Sequence, residues 1–355
     1  MITIILTYRN RDINIAKICL SSLKDQVNKN FKVVLADYGS MPTYKTDIKK
    51  LTSDFNFSHF ISCETEQQLW CKSRAINIAL KQCETPYVFV GDVDMVYHPE
   101  FINTLNTVKN EAQITYFQVG FLSETESKTN SHFEDYKIAF KSDEEATGMT
   151  LYPTEVLKSI HGYDEFYHGW GAEDTDVHIR LKNAGYPIHF YSKEILMLHQ
   201  WHPKSYRNKN DLAPFHSILE KINHDYLRFS KSTNKIKANL NFPWGVYNPS
   251  DYEALKKIET SYNLTNKESE IKAFINNVLV SEKNKVVEVL IQPHRAFKSI
   301  KQRVKKILGR KTVSFLSMDT VNDLLLESII TNLRDKAHQF QYDSKKQTIH
   351  LIIKL

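Results

Sequence analysis

The sequence predicts an α/β fold: an open, mostly parallel sheet with helices on both faces. Two observations carry this. Through the first hundred residues, short runs rich in β-branched and aromatic residues alternate with amphipathic stretches of helical period. Each strand-like run of this series that ends near a charged residue does so in a polar cluster, at residues 7–11, 37–40 and 92–94. In open parallel sheets, ligands gather at such carboxyl ends of strands.

The elements follow in order. Residues 2–7 are a first strand, closed by Tyr8-Arg9-Asn10-Arg11-Asp12. Residues 13–24 set Ile15, Ile18 and Leu23 at roughly helical spacing. A second strand at 31–36 runs into Asp37-Tyr38-Gly39-Ser40, and a helix over 43–52 leads to a third strand at 57–61. The 70–82 stretch puts Ala75, Ile78, Ala79 and Leu80 on one helix face; Tyr87 to Val90 is a fourth strand ending in Gly91-Asp92-Val93-Asp94. Glycine is scarce, ten residues in all, yet Gly148, Gly162, Gly169, Gly171 and Gly185 crowd one stretch. Such crowding marks tight turns or close approach to a ligand. A helix beyond Asp176 and a strand at 187–198 follow, the latter ending in His199-Gln200-Trp201-His202. Past residue 215 the chain becomes highly charged: 220–235 and 251–285 read as helices, 319–340 as one more amphipathic helix, and 347–354 as a closing strand.

Composition narrows the class. The chain has 355 residues, 47 Lys+Arg against 41 Asp+Glu, and 41% hydrophobic content, which excludes a disordered or fibrous protein. No run approaches the roughly 18–20 apolar residues of a membrane span. The start lacks a basic region and a small-residue cleavage site, so a cytoplasmic rather than secreted product is expected. Cys19, Cys63, Cys71 and Cys83 follow no CxxC spacing and read as reduced thiols. The positive charge is local: residues 294–311 hold eight Lys/Arg and no acid, and without them the acids outnumber the bases.

Three constellations carry chemistry. Asp92 and Asp94 flank Val93 at a strand end, a spacing that lets carboxylates share a hard divalent cation with a diphosphate. His199 and His202, also at a strand end, suit Mn²⁺ or Zn²⁺. Glu173, Asp174 and Asp176 crowd the start of a helix; the helix dipole alone would explain an acidic start, and a general base held ionised there would explain it equally. Trp170, between Gly169 and Gly171, reads as a platform for a sugar ring.

Taken together, Thr7-Tyr8-Arg9-Asn10-Arg11, Arg74-Ala75-Ile76-Asn77, Asp92-Val93-Asp94, Trp170-Gly171-Ala172-Glu173-Asp174 and His199-Gln200-Trp201-His202 stand in the order seen in glycosyltransferases of GT-A fold. The chain resembles a bacterial family 2 glycosyltransferase whose second half is similar to the galactosyltransferase C-terminal motif region. The beta-1,4-galactosyltransferases and chondroitin polymerase domains are the comparisons, and the match spans about residues 1–205. The resemblance implies a GT-A catalytic domain over 1–215 and leaves 216–355 as a mainly helical region. It implies donor contacts from Thr7, Tyr8, Arg9, Arg11, Asp37, Arg74, Asp92 and Val93. Asp174 matches the catalytic base, with Glu173 as acceptor-hydroxyl partner and Trp170 and Gly171 beside the sugars. The metal, Mn²⁺ or Mg²⁺, would take Asp94 and His202, with His199 as the alternative histidine. Two positions depart from the pattern: Tyr38 stands where a second acid is usual, and Ala172 where galactosyltransferases carry glycine.

What this implies is a metal-dependent, inverting transfer of galactose or N-acetylgalactosamine from a UDP-sugar to a surface glycan such as capsule or lipopolysaccharide, lipid-linked acceptors included. UDP-N-acetylglucosamine is an alternative donor. An inactive sugar-binding relative would be favoured by loss of Asp94 or Asp174, and both are present. A nucleotidyltransferase would want glycine and lysine in the first loop, and residues 7–12 hold neither. Residues 294–311 set Phe297, Ile300, Val304, Ile307 and Leu308 on one helical stripe among basic residues. That pattern suits docking on an anionic membrane at the inner face of the cell membrane, or a solvated helix packed on the catalytic domain, rather than nucleic-acid binding.

Overall fold

The computed structural model describes residues 1–111, 114–129, 131–203 and 214–355. They divide into two compact units. The first comprises Met1–Cys63, Trp70–Asn208 and Glu220–Tyr247, the second Glu64–Leu69, Lys209–Leu219 and Asn248–Leu355.

The first unit begins β1 (Ile2–Tyr8), α1 (Ile13–Lys24), β2 (Phe31–Tyr38), α2 (Pro42–Ser53), β3 (Ser58–Cys63), α3 (Lys72–Lys81), β4 (Tyr87–Asp92). It continues with β5 (Met95–Tyr97), α4 (Phe101–Glu111), β6 (Ile114–Phe117), β7 (Gly120–Leu122), β8 (Ile138–Lys141), β9 (Thr150–Pro153) and α5 (Thr154–Ser159). After the glycine-rich stretch come α6 (Glu173–Asn183), β10 (Ile188–Tyr191), β11 (Met197–His199) and α7 (Leu219–Ser232). Seven strands form the central sheet in the order β10-β6-β9-β4-β1-β2-β3. All its pairings are parallel except those of β9, which runs against β4 and β6. Alternation along β1 explains the double covering. Ile2, Ile4 and Leu6 face a core with Leu20, Leu23 and Phe101, while Ile5 faces Ala75, Ile76 and Ala79 of α3. All four cysteines are buried and unbridged.

The single strand expected over 187–198 is two strands in two sheets. β10 joins the central sheet beside β6, and β11 enters a four-stranded sheet, β5-β11-β7-β8. The signal that separates them is the polar Ser192-Lys193-Glu194 between the two short pieces.

The second unit holds α8 (Pro249–Ala254), β12 (Thr260–Thr265), α9 (Glu268–Phe274), β13 (Val286–Gln292), α10 (Ile300–Ile307), α11 (Met318–Asn332), β14 (His338–Asp343) and β15 (Thr348–Lys354). Its sheet runs β12-β13-β15-β14. The expected helix over 251–285 therefore contains β12 as well as α8 and α9. The helix expected over 319–340 stops at Asn332, and β14 takes its last residues. Of the four strands only the closing one is expected from the sequence. β12 and β14 are sheet edges whose outward residues are polar, which dilutes the apolar signal: in β14 only His338 and Phe340 turn inward. The central β13 follows the expected 251–285 helix directly and falls in no expected element.

Candidate active site

Strand register assembles the site. Parallel pairing of β1 with its neighbours sets Thr7 opposite Asp92 of β4, and Tyr8 opposite Asp37 of β2. The loop after β1 is stitched to the loop after β2: the Asn10 amide donates to Ser40 Oγ at 2.9 Å, and the Met41 amide donates to Asn10 Oδ1 at 2.7 Å. Tyr8 donates its hydroxyl to the Arg11 carbonyl. Thr7, Tyr8 and Asp37 are buried at this strand end, and Arg9 and Arg11 are half-buried.

A short turn after β4 carries Val93 and Asp94 into β5. Antiparallel pairing of β5 with β11 sets His199 opposite Met95, and the Gln200 amide donates to the Asp94 carbonyl at 2.9 Å. The backbone thereby brings both histidines to Asp94. His202 Nε2 lies 3.1 Å from Asp94 Oδ2, His199 Nε2 3.7 Å from Oδ1, and Arg11 Nη2 3.3 Å from Oδ2. Phe121 stacks on the His199 ring, centroids 4.9 Å apart, and fixes its plane.

The donor set fits a divalent cation. One ligand atom from each of Asp94, His199 and His202 lies within 4.8 Å of the other two. Asp94 Oδ1 is buried and makes no hydrogen bond among the described residues, an orphaned acceptor that a cation would satisfy. Burial works against the Asp94 charge. The hydrogen bond from His202 and the nearby His199 and Arg11 outweigh it and hold this carboxyl well below the usual range. Burial pushes His199 down, toward the neutral imidazole that ligates metal.

A second cluster surrounds Lys72, at the first turn of α3. Its Nζ lies 3.1 Å from Asp92 Oδ1, 3.2 Å from Asp174 Oδ2 and 3.8 Å from Glu173 Oε1. Burial opposes the Lys72 charge, but Asp174, Asp92 and Glu173 overcome it and hold the ammonium's pKa well above the usual lysine range. Burial, then the adjacent Asp174, pushes Glu173 up to about 7 against the pull of Lys72. Burial also raises Asp92, with Lys72 opposing. Sequence reasoning missed Lys72, since one lysine two positions before Arg74 has no local signature. Gly148, one of the crowded glycines, comes close to this cluster: an added Cβ would stand 3.6 Å from Asp174 Oδ2.

The loop before α6 holds Trp170, half-exposed at 47%, with Gly169, Gly171 and Ala172 all at positive φ. Ala172 caps α6 at φ +77°, a left-handed conformation that costs a non-glycine residue about 1–2 kcal/mol. Asn223 of α7, fully buried, fixes the loop by donating to the carbonyls of His168 (2.8 Å) and Trp170 (3.2 Å).

Two expected residues lie apart from this chemistry in their contacts. Asp176 is not a third site carboxylate but a fully buried anchor, 2.6 Å from Arg180 Nε and accepting from Tyr167 and Ser230 hydroxyls. Its i,i+4 spacing to Arg180 was the available signal. Arg74 is buried, donates to the Val246 carbonyl at 2.9 Å, and lies 3.9 Å from Glu165.

Two family models match this stretch of chain. Residues 3–150 match the family 2 glycosyl transferase model, and residues 128–202 match the model described as the N-terminal domain of galactosyltransferase. The chain carries a glycosyltransferase family 2 domain. The central sheet is accordingly a GT-A sheet. Among solved structures, this transferase is similar to S. aureus TarS 1–349 in complex with UDP, at 14% identity and TM-score 0.46, covering 93% of this chain and 89% of that one. It is also similar to the mannosyltransferase PcManGT from Pyrobaculum calidifontis in complex with GDP-Man and Mn²⁺, at 13% identity and TM-score 0.42, covering 66% and 72%. GalNAc-T7 with UDP, GalNAc and Mn²⁺ follows at 12% identity and TM-score 0.44, covering 59% and 45%. No curated protein matches the transferase. No helix among the described residues is long and apolar enough to cross a membrane.

Proposed function

We propose that this glycosyltransferase moves galactose or N-acetylgalactosamine from a UDP-sugar to a hydroxyl of a surface glycan, such as capsule or lipopolysaccharide, with inversion at the anomeric carbon. The observation that carries the reading is the pairing of two clusters at one strand end. Asp94, His199 and His202 suit a cation, and Asp174 lies beside Asp92 through their shared contact with Lys72.

Asp94, His202 and His199 would hold Mn²⁺ or Mg²⁺; when bound, such an ion supplies neutralising charge for the diphosphate leaving group. Thr7, Tyr8, Arg9, Asp37, Asp92 and Val93 form the donor-facing strand end, and Arg11 adds its charge beside the diphosphate. Asp174 takes the proton of the acceptor hydroxyl while that oxygen bonds to the anomeric carbon and the bond to UDP breaks. Glu173 accepts a hydrogen bond from a neighbouring hydroxyl of the acceptor, and Trp170 and Gly171 offer a face for the sugar ring. Lys72 holds Asp174 and Asp92 in register through its contacts with both. One base and one displacement give inversion.

Calorimetric titration with UDP-, GDP- and CMP-sugars, with Mn²⁺ and with chelator, tests the reading. Mn²⁺-dependent binding of one UDP-sugar, lost in Asp94→Ala, is expected. Equal binding in chelator, or no binding of any nucleotide sugar, would remove the basis of the proposal.

A further inference from the structure

Residues 289–318 hold eight Lys/Arg and not one Asp or Glu. The structure gives this segment two opposite attachments. Its base is tied to the second unit: the His294 ring stacks on Phe315 with centroids 5.3 Å apart, Phe297 packs against the same ring at 6.0 Å, and the His294 amide donates to Asn266 Oδ1 at 2.8 Å. The stripe read from sequence therefore divides, with Phe297 turned inward as the anchor. Ile300, Val304, Ile307 and Leu308, spaced i, i+4, i+7 and i+8 on and just after α10, face outward. Ile300 is 77% exposed and Ile307 83%. Val304, Leu308 and Val313 are exposed too.

Side chains this apolar rarely stand together in water on a single helix. Around them Arg295, Lys298, Lys301, Arg310 and Lys311 are exposed and Lys305 is half-buried, and none pairs with an acid among the described residues. The side chains of residues 303 and 306 lie outside the described set. A partner for this face must therefore receive four to five apolar side chains and supply negative charge along their flanks. A flat polyanion such as duplex nucleic acid supplies the charge alone, with no place for isoleucine and leucine. An anionic bilayer interface supplies both, since an amphipathic helix lies with its apolar face among the acyl chains and its cations among the headgroups.

We infer that α10 and the turn after it, residues 300–313, dock this protein on membranes rich in anionic phospholipid. The docking does not depend on the donor chemistry, and vesicle binding reads it without any turnover. A transferase held there would meet lipid-linked acceptors at raised local concentration.

Co-sedimentation of the full chain with phosphatidylcholine vesicles, and with phosphatidylcholine–phosphatidylserine vesicles at about 3:1, tests the inference. The wild type should partition onto the anionic vesicles at least tenfold better than onto the neutral ones, and less at high salt. The Ile300→Ser/Ile307→Ser variant keeps every charge and alters only exposed side chains, so circular dichroism should be unchanged; its vesicle binding should fall tenfold or more. Lys301→Glu/Lys305→Glu should abolish the preference for anionic lipid. No binding to the anionic vesicles would overturn the inference. So would full retention of binding in the double-serine variant together with equal affinity for duplex DNA, since that marks a plain polyanion site.

Discussion

Lys72 Nζ lies 3.2 Å from Asp174 Oδ2 and 3.1 Å from Asp92 Oδ1, one ammonium shared by a residue of the α6 start and a residue of the β4 end. Three chain segments, the first turns of α3 and α6 and the end of β4, thus meet on a single charge. Removing it leaves Asp92, Glu173 and Asp174 facing one another without compensation. Breaking a buried pair this way costs about 3–5 kcal/mol; the partial exposure of Asp92 and Asp174 places the loss here toward or below the lower end.

Lys72→Met should therefore lower the melting temperature and cut kcat by about 10²-fold or more, with KM for the donor changing much less. Lys72→Arg should recover part of kcat. Steady-state kinetics with a thermal melt on the same samples checks both. A fully active Lys72→Met would reduce the lysine to scaffolding.

Glu173 gives a pH signature with a definite sign. Its carboxyl stands at about 7 in the folded protein against an ordinary 4.5, because it is buried and faces Asp174. Between those values the folded state binds a proton that the unfolded state has lost, so stability falls as pH rises from about 4.5 through 7. Glu173→Gln should raise the melting temperature relative to wild type at pH 8 and give little gain at pH 4. Turnover of the wild type should climb through pH 7 as Glu173 ionises, and the glutamine variant should lose that limb. Melting and rate profiles over pH 4–9 measure both effects.

Ala172 stands at φ +77° as the cap of α6. Glycine adopts that conformation freely, so Ala172→Gly should relieve about 1–2 kcal/mol of strain and give back up to about 1 kcal/mol in unfolded-chain entropy. The expected net is a stabilisation of roughly 0.5 kcal/mol, read as a shift in urea midpoint at constant m-value. A fall in stability would mean that the alanine methyl makes a contact worth more than the strain.

Most of the scaffold was legible in the sequence because its elements obey one period each. β1 to β4 and α1 to α3 follow the expected order within a few residues, since β-branched runs and helical stripes alternate there without interruption. Legibility failed where a segment changes sheets or lies at an edge, and also at β13, a central strand that falls in no expected element. Residues 188–199 serve two sheets, divided at the polar Ser192-Lys193-Glu194 that a single-strand reading runs through, and β12 and β14 hide their alternation under polar outward residues. The site divides the same way. Asp94, His199 and His202 announce themselves by sitting at strand ends, and the register of β11 on β5 brings them together. Lys72 and Asn223 act through distant partners, so no local spacing could have shown them. Asp176 has the spacing of an acidic cluster, yet Arg180, one turn on, neutralises it.

The most direct test of the whole account is turnover of a UDP-sugar panel, measured as release of UDP, with Mn²⁺ and with chelator, in wild type, Asp94→Ala and Asp174→Asn. Hydrolysis of the donor by water suffices, so the acceptor need not be known. The account predicts Mn²⁺-dependent release from one UDP-sugar, abolished in Asp94→Ala and reduced about 10²–10⁴-fold in Asp174→Asn. Release that persists undiminished in chelator, or in Asp174→Asn, would contradict it.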